Sequence, residues 1–558
     1  MGLLNRWMSP KPQAAPARRS ADYAAAAIGR LTASMASYSL SANQEIFRSL
    51  RTLRARSREL ARDNAHARKF LQMIESNVIG PGGVILQNKA GDWGRDQKFT
   101  LDAVANGIIE REFSLWGLRG CEVTNRMSWP ALQRLYVRTM ARDGEVLLRR
   151  IRHMDARRNR HGYALQFIDV DRLDERHNDD LPNGNVIRMG IELDRSGRAV
   201  AYWISTRHPG DLRFSAYAVG ERERVPAEDI IHDFVQDRPE QIRGVPWMHA
   251  AMIRLNHLGA FDEAAIIAAR IGAAKMGFWT SKDGDASALA DDQDASGNLI
   301  TEAEPGTFQM APEGYEFSAF DPKYPEANYD AFTKACLRGI ASGFGVSYNS
   351  LASDLEGVSY SSIRQGVLDE RDAWKTVQAQ VVDGLCRIVF ADWLSTALIM
   401  GALGPLPASK LAKFHADTWQ PRRWGWVDPL NDMQAAQLGI QMRITSRSRI
   451  AAETGLDFDD IASENEADEA LLVDKGLATP AAAPDAGLGG GGGADVQQQA
   501  LNGAQMSSLQ QIVQAVADGQ LPSETAVQLV MIGIPSISKE QAQALISPAK
   551  DFTPRQPQ

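Results

Sequence analysis

Asp169, Asp171 and Asp174 stand at the end of the apolar run at 163–170 and just beyond it. Residues at i and i+2 of a strand share one face, so these carboxylates could serve as an acid–base pair or hold a metal. Carboxylates at a strand end are more often simply solvated. The second chemistry-bearing pattern is basic: Arg51, Arg54, Arg56, Arg58, Arg62 and Arg68 stand against only Glu59 and Asp63 between Ser49 and Lys69. Leu50, Leu53, Leu60 and Phe70 give the stretch a thin apolar stripe, which predicts a basic amphipathic helix. Arg51, Arg54, Arg58 and Arg62 are the candidate contacts to DNA phosphates. The plainer reading is a solvated face with arginine stems packed along it.

The other reactive residue types fall into no catalytic spacing. Cys121, Cys336 and Cys386 are far apart and odd in number, against a disulfide framework or a cysteine metal site and in keeping with a reducing cytoplasm. The nine histidines show no H-E-x-x-H pattern. The glycine tract at 489–493 fits a dinucleotide fingerprint only because glycine fills every slot, and no strand precedes it. There is no phosphate loop, and Gly357-Val358-Ser359-Tyr360-Ser361 lacks the second glycine of a nucleophile elbow. No enzyme and no cofactor is expected.

The elements that must position such residues belong to a mixed helix-and-strand chain. Its 558 residues carry 61 basic and 69 acidic side chains, a net charge of -8, and are 44% hydrophobic. At roughly 150 residues per domain that is three or four units with a substantial core. No uncharged apolar run is long enough to span a bilayer, and Met1 to Met8 lack a secretory signal's apolar stretch. Runs at 146–150 and 163–170 bracket an arginine-rich connection (Arg157, Arg158, Arg160). Ile187, Met189, Ile191 and Leu193 alternate, Gly197 turns, and Val200, Tyr202 and Ile204 alternate back, which predicts a hairpin.

A long helix is expected over 246–276, with Met248, Met252, Leu255, Leu258, Phe261 and Ala265 on one stripe and an alanine-rich second half. Acidic, turn-rich sequence at 277–324 holds short strand candidates at 307–310 and 315–320. A helix over 325–343 and a Gly, Ser and Asn loop over 345–357 come next. The longest helix, about 362–400, has its stripe interrupted by Glu370 and Gly384. Residues 453–475 hold nine acidic side chains and one basic, ordinarily a solvated surface. A flexible linker at 478–495 leads to short helices near 509–516 and 524–531, with a capping-box signature at Ser538 and Gln541.

In order, the landmarks resemble the lambda-type family of tailed-bacteriophage portal proteins. The resemblance is carried by Leu53 to Leu60, Asn77-Val78-Ile79-Gly80, Asp143-Gly144-Glu145, Gly190-Ile191-Glu192 and His208-Pro209-Gly210-Asp211. It continues through Val225-Pro226-Ala227-Glu228, Gln241-Ile242-Arg243-Gly244-Val245-Pro246-Trp247, Ser359-Tyr360-Ser361-Ser362 with Arg364, and Trp424-Gly425-Trp426-Val427-Asp428-Pro429. It covers roughly 45–475; no one motif is diagnostic, and the order of many carries it.

The resemblance implies a mixed α+β portal fold assembled as a homo-oligomeric, dodecameric ring, with a β-rich wing, a long-helix stem, a small clip and an α-helical crown. A flexible arm (1–20) would precede the wing (21–245). Stem helices (246–276 and 325–344) would flank the clip (277–324). A tunnel loop (345–360), a long wing helix (361–409), the crown (410–477), the linker (478–495) and a helical tail (496–558) would follow. Ser347, Asn349, Ser353, Asp354 and Glu356 would face the channel. Implied partners are the terminase large subunit, head-completion and tail connector proteins, capsid and scaffold proteins, and double-stranded DNA, without a membrane. The place would be the virion's capsid vertex, reached from the host cytoplasm. Two rivals are a soluble DNA-binding protein using the 51–69 helix and a metal-dependent enzyme using Asp169 to Asp174.

Overall fold

The computed structural model describes residues 26, 30, 33–95, 97–155, 157, 159–211, 221–273, 277–281, 292–293, 299–300, 315–319, 329–425, 428–455, 458–475, 512–513, 515–516, 521–533 and 539–550. The chain divides into two units, Met1–Asp460 and Ile461–Gln558.

The basic stretch is α1 (Ala42–Asp63), which starts where Ser41 accepts a hydrogen bond from the Gln44 amide. Asn64 ends α1 and caps α2 (Ala65–Ile74), accepting from the amides of His66 and Ala67. A π-helical turn, Glu75–Ile79, extends α2 and stops at Gly80. Strand β1 (Ile85–Asn88) and the small hairpin of β2 (Gly91–Trp93) and β3 (Phe99–Leu101) precede α3 (Ala103–Leu118) and α4 (Trp129–Asp143).

Gly144 at φ 91° turns the chain from α4 into β4 (Glu145–Arg152), and a Cβ there would overlap the Val245 backbone. β4 is the centre of an antiparallel sheet ordered β11–β4–β5, between β5 (Tyr163–Ile168) and β11 (Ile230–Phe234). β4 and β5 occupy the two runs read from sequence. A second sheet, ordered β10–β9–β8–β7–β6, joins β6 (Asp179–Asp180), β7 (Val186–Arg188), β8 (Ile191–Leu193), β9 (Ala199–Ser205) and β10 (Arg222–Pro226).

Here the expected hairpin is corrected. The alternating run at 187–193 is two strands, with Arg188 opposite Ile191 across a two-residue turn. Met189 at φ 49° and Gly190 at φ 83° supply the two left-handed positions such a turn needs. Alternation survives because the turn adds two residues, which preserves the period of two. The Gly197 turn between β8 and β9 stands as expected, with φ 83°.

Beyond Pro246 comes a 3-10 turn, Trp247–Ala250, then α5 (Met252–Ala273). β12 (Gly277–Ser281) pairs antiparallel with β15 (Tyr315–Ala319), and β13 (Asp292–Gln293) with β14 (Leu299–Ile300). Next are α6 (Tyr329–Phe344), α7 (Tyr348–Ala352) and α8 (Tyr360–Val381). The long helix continues from α8 through a π-helical turn, Val382–Cys386, into α9 (Arg387–Ile399). α10 (Leu411–Phe414) leads to β16 (Asp417–Gln420), which pairs with β1 and so puts a strand within the stretch expected to be a helical crown.

α11 (Pro429–Gln441), α12 (Arg447–Thr454) and the acidic α13 (Phe458–Asp474) follow. In the second unit, helices Ser523–Gly533 and Lys539–Lys550 meet through Ala526, Val527, Val530, Ala542 and Ile546. The expected arm at 1–20, the strand at 307–310, Ser538 and the linker at 478–495 lie outside the described residues.

The main core sits where α3, α4, β5 and α9 meet. Phe113 packs edge-on against Trp393 at 5.0 Å and contacts Trp116, Trp129, Phe390 and Trp419 at 5.1 to 6.0 Å between ring centres. Each such pair adds about 0.5–1.5 kcal/mol beyond area burial. Trp116 also satisfies its indole N–H on the Tyr163 carbonyl at 2.8 Å.

Candidate functional site

Two constellations matter, one for each pattern in the sequence. In the first, the inner face of α1 meets the acidic residues of β4 and the turn after β5. Arg54 is 2% exposed; its guanidinium donates to Glu145 at 2.7 Å and to Asp171 at 2.8 Å. Arg58 bridges Asp143 at 2.9 Å, Asp171 at 2.6 Å and Asp169 at 2.9 Å. Glu145, wholly buried, also accepts from Arg243 at 2.9 Å and from the Gly244 amide at 3.0 Å, and lies 3.0 Å from His232 Nε2. Burial alone would raise the Glu145 pKa, but Arg243, His232 and Arg54 outweigh it and hold the carboxyl well below the usual range. Asp143 is likewise lowered: burial opposes ionisation, and hydrogen bonds from Arg142 and Arg58 win.

These contacts bear on two of the sequence readings. Both the Arg54 and the Arg58 guanidinium are engaged by carboxylates, Arg54 in the interior and Arg58 at its edge. Arg51 and Arg62 are exposed, and Arg62 pairs with its neighbour Asp63 at 2.7 Å. Asp169, Asp171 and His208 do place ligand atoms within 4.8 Å of one another, but Arg58 already ties the two carboxylates together. Asp174 is held by Arg222 at 2.5 Å. A cation there would have to displace guanidiniums, so the acid–base and metal readings lose their free carboxylates.

The second constellation is the helix–strand–strand–helix hairpin of α5, β12, β15 and α6, with α7 and α8 beyond it. Phe261 of α5 stacks on Tyr329 of α6 at 5.6 Å, and Tyr329 donates to Asp262 at 3.0 Å. The expected loop at 345–360 contains the short helix α7. Ser347 caps α7 by accepting from the Ser350 amide at 3.2 Å. The hydroxyls of Ser347 and Ser350 both donate to Glu370 of α8, at 2.9 and 2.8 Å, and Trp374 adds its indole N–H at 3.3 Å.

Asn349 is half-buried, and Ser353 ends α7 at φ 56°. Asp354 accepts from the Tyr348 hydroxyl at 2.7 Å, which lowers its pKa. Lys334 of α6 reaches Asp330 at 2.9 Å and Glu356 at 3.1 Å, and those bonds raise its pKa. Four of the five expected channel residues are therefore tied into α6, α7 or α8 by hydrogen bonds, caps or turn geometry. Sequence reasoning missed Glu370 and Lys334 as their anchors. The one signal was the break that Glu370 makes in an apolar stripe.

The chain matches the model of the family described as "Phage portal protein, lambda family" over residues 28–378. A "Probable portal protein" of Halomonas phage phiHAP-1 is 38% identical over 450 residues, 79% of this chain and 84% of that protein. The "Portal protein" of Escherichia phage N15 is 20% identical over 462 residues, 76% of this chain and 85% of that one. Among solved structures, a chain from the neck of an empty GTA particle with C6 symmetry aligns with 16% identity and TM-score 0.41, covering 73% of this chain and 94% of that chain. A chain from the native neck with C12 symmetry aligns with 16% identity and TM-score 0.40, covering 72% and 93%. The match over most of the chain, together with a relative at 38% identity, places this protein in the lambda family of phage portal proteins.

Proposed function

We propose that this portal protein assembles as a ring of twelve copies at one vertex of the capsid. There it would be the channel through which double-stranded DNA enters and leaves. It would dock the terminase large subunit during packaging and the head-completion and tail connector proteins afterwards, and contact capsid and scaffold proteins while the shell assembles in the host cytoplasm. On this reading it is a conduit without chemistry of its own, and nucleotide hydrolysis belongs to the motor. α5 and α6 would be the stem, β12 and β15 part of the clip, residues 345–360 the tunnel segment, α8 and α9 the wing helix, and 410–477 the crown.

The observation that carries the reading is the α5–β12–β15–α6 hairpin in a chain of this family. Two helices are locked side by side, and the sequence between them returns through an antiparallel strand pair. Charge supports it. A ring of copies at -8 each presents a negative field, which disfavours the many phosphate contacts that make DNA binding tight. The DNA-binding rival is weakened by the engagement of Arg54 and Arg58 with carboxylates.

Electron microscopy of the purified, untagged protein, with light-scattering mass on the same sample, tests the proposal. Rings with a central hole and a mass near twelve protomers are expected. A uniform monomer or dimer that binds duplex DNA tightly and salt-sensitively would overturn it.

A further inference from the structure

Arg364, Arg371 and Gln378 are spaced seven apart on α8 and so lie on one line of the helix. Contacts from the stretch 422–432 meet that line in reverse order. Gln378 donates to the Arg422 carbonyl at 2.9 Å, Arg371 lies over the Trp424 ring at 5.7 Å, and Arg364 reaches Asp432 at 3.3 Å and Asp428 at 3.8 Å. Trp424 opens the Trp-Gly-Trp-Val-Asp-Pro motif at 424–429, to which the channel reading gives no task.

The middle level differs from the outer two. Arg364 has its carboxylates and Gln378 its carbonyls. Arg371 has only the indole: among the described residues it makes no ion pair and no hydrogen bond, and its Nε is buried without an acceptor. A second guanidinium, that of Arg422, lies 6.0 Å from the centre of the same ring. Its acceptors are neutral, the Ser76 carbonyl and Asn77 Oδ1 at 3.3 Å, and Trp424 Nε1 donates to that same oxygen at 3.0 Å. Asp432 is committed to Arg364 and to the Asp428 amide at 3.2 Å. Two half-buried cations thus share one indole with no carboxylate of their own. Burial lowers both pKa values, and the Arg422 charge lowers that of Arg371 further. Like charges held together and partly out of water are costly unless an anion joins them.

We infer that Arg371 and Arg422, held against Trp424, form a seat for a phosphate group. Guanidiniums match oxyanions through paired N–H donors, and two of them can divide the oxygens of one phosphate, whereas a single fork already engages both oxygens of a carboxylate. Charge agrees: Arg364, Arg371, Arg422 and Arg423 stand against only Asp428 and Asp432 in this part of the chain. Inorganic phosphate and the backbone of duplex DNA supply the same chemistry, and one seat per copy leaves a duplex far from tightly held. The seat lies within a single copy, so the inference does not depend on the ring.

The test uses the full chain in phosphate-free buffer, with chloride adjusted to hold the ionic strength constant. Thermal unfolding and titration calorimetry follow inorganic phosphate against the wild type, Arg371→Gln and Arg371→Lys. Phosphate should raise the wild-type Tm and bind Arg371→Gln about ten- to a hundredfold more weakly, the loss of a charge-assisted hydrogen bond. Arg371→Lys keeps the charge without the fork and should fall between the two. A short duplex that displaces phosphate from the wild type identifies the DNA backbone as the source, and a duplex that leaves phosphate binding unchanged identifies the free ion. No phosphate response in the wild type would overturn the inference. So would an Arg371→Gln variant whose Tm differs from the wild type by the same margin with and without phosphate, since that arginine would only brace the fold. Loss of assembly in Arg371→Glu, with no phosphate response in the wild type, would assign the pair instead to a carboxylate of a second copy and overturn the phosphate seat. A wild type that never forms rings bears on the channel reading alone.

Discussion

Glu145 stays ionised although wholly buried, because two guanidiniums, a histidine and a backbone amide surround it. Moving such charges out of water costs several kcal/mol per ion, and only near-complete pairing offsets it. Glu145→Gln keeps the shape but leaves Arg54 and Arg243 facing a neutral group. We expect a loss of about 3–5 kcal/mol, read by urea denaturation. The pH dependence follows from the same depression. The folded-state pKa lies below the unfolded value of about 4.3, so the stabilisation is complete above that pH and is lost as the pH falls below it. The wild type should lose stability more steeply than Glu145→Gln as the pH is lowered from 5 toward 3, and parallel acid limbs would contradict this assignment.

At the scale of the element, α8 and α9 form one long helix whose π-helical turn contains Gly384. A Cβ on Gly384 would stand 2.5 Å from the Asp233 carboxylate, which is itself bonded to Tyr136 and Gln380. Gly384→Ala should therefore cost about 1–3 kcal/mol in thermal or urea unfolding, by forcing Asp233 off its partners. Lower on the same helix, Glu370→Ala removes the acceptor shared by Ser347 and Ser350. Each hydrogen bond is worth about 0.5–1.5 kcal/mol, so hydrogen exchange at 347–352 should quicken while global stability moves little.

These helices also show what could be read in advance. Period and caps located α5, α6, β4, β5 and the 362–400 helix, and Gly384 was visible as a break in the stripe. The Met189–Gly190 turn was not, because a two-residue turn leaves alternation unbroken. Nor was the burial of Arg54. An arginine one turn from Leu50 on α1 looks the same in sequence whether it meets water or Glu145, since its partners lie 91 and 117 positions away.

For the whole molecule, the segment proposed as the tunnel loop separates into a part tied to the core and a part that is exposed. Leu351 of α7 is 2% exposed and belongs to the main core, whereas Leu355 to Gly357 are exposed. Removing 354–358 spares that core contact. The resulting particles should contain normal rings yet package or retain DNA poorly; full yields of filled heads would contradict the placement of this segment in the channel.

The pairing of β1 with β16 has a temporal meaning. Ile85 lies opposite Gln420, so the edge of β1 waits for its partner until residue 420 has left the ribosome. At about 5–20 residues per second, that delay is on the order of twenty seconds to a minute. Throughout it, Leu86 and the α3 face that will meet Trp419, Trp393 and Phe390 are uncovered. A chain cut short before Asp417 therefore lacks the partner for β1, and its Leu86 and α3 side chains lack the Trp419 that covers them in the complete fold.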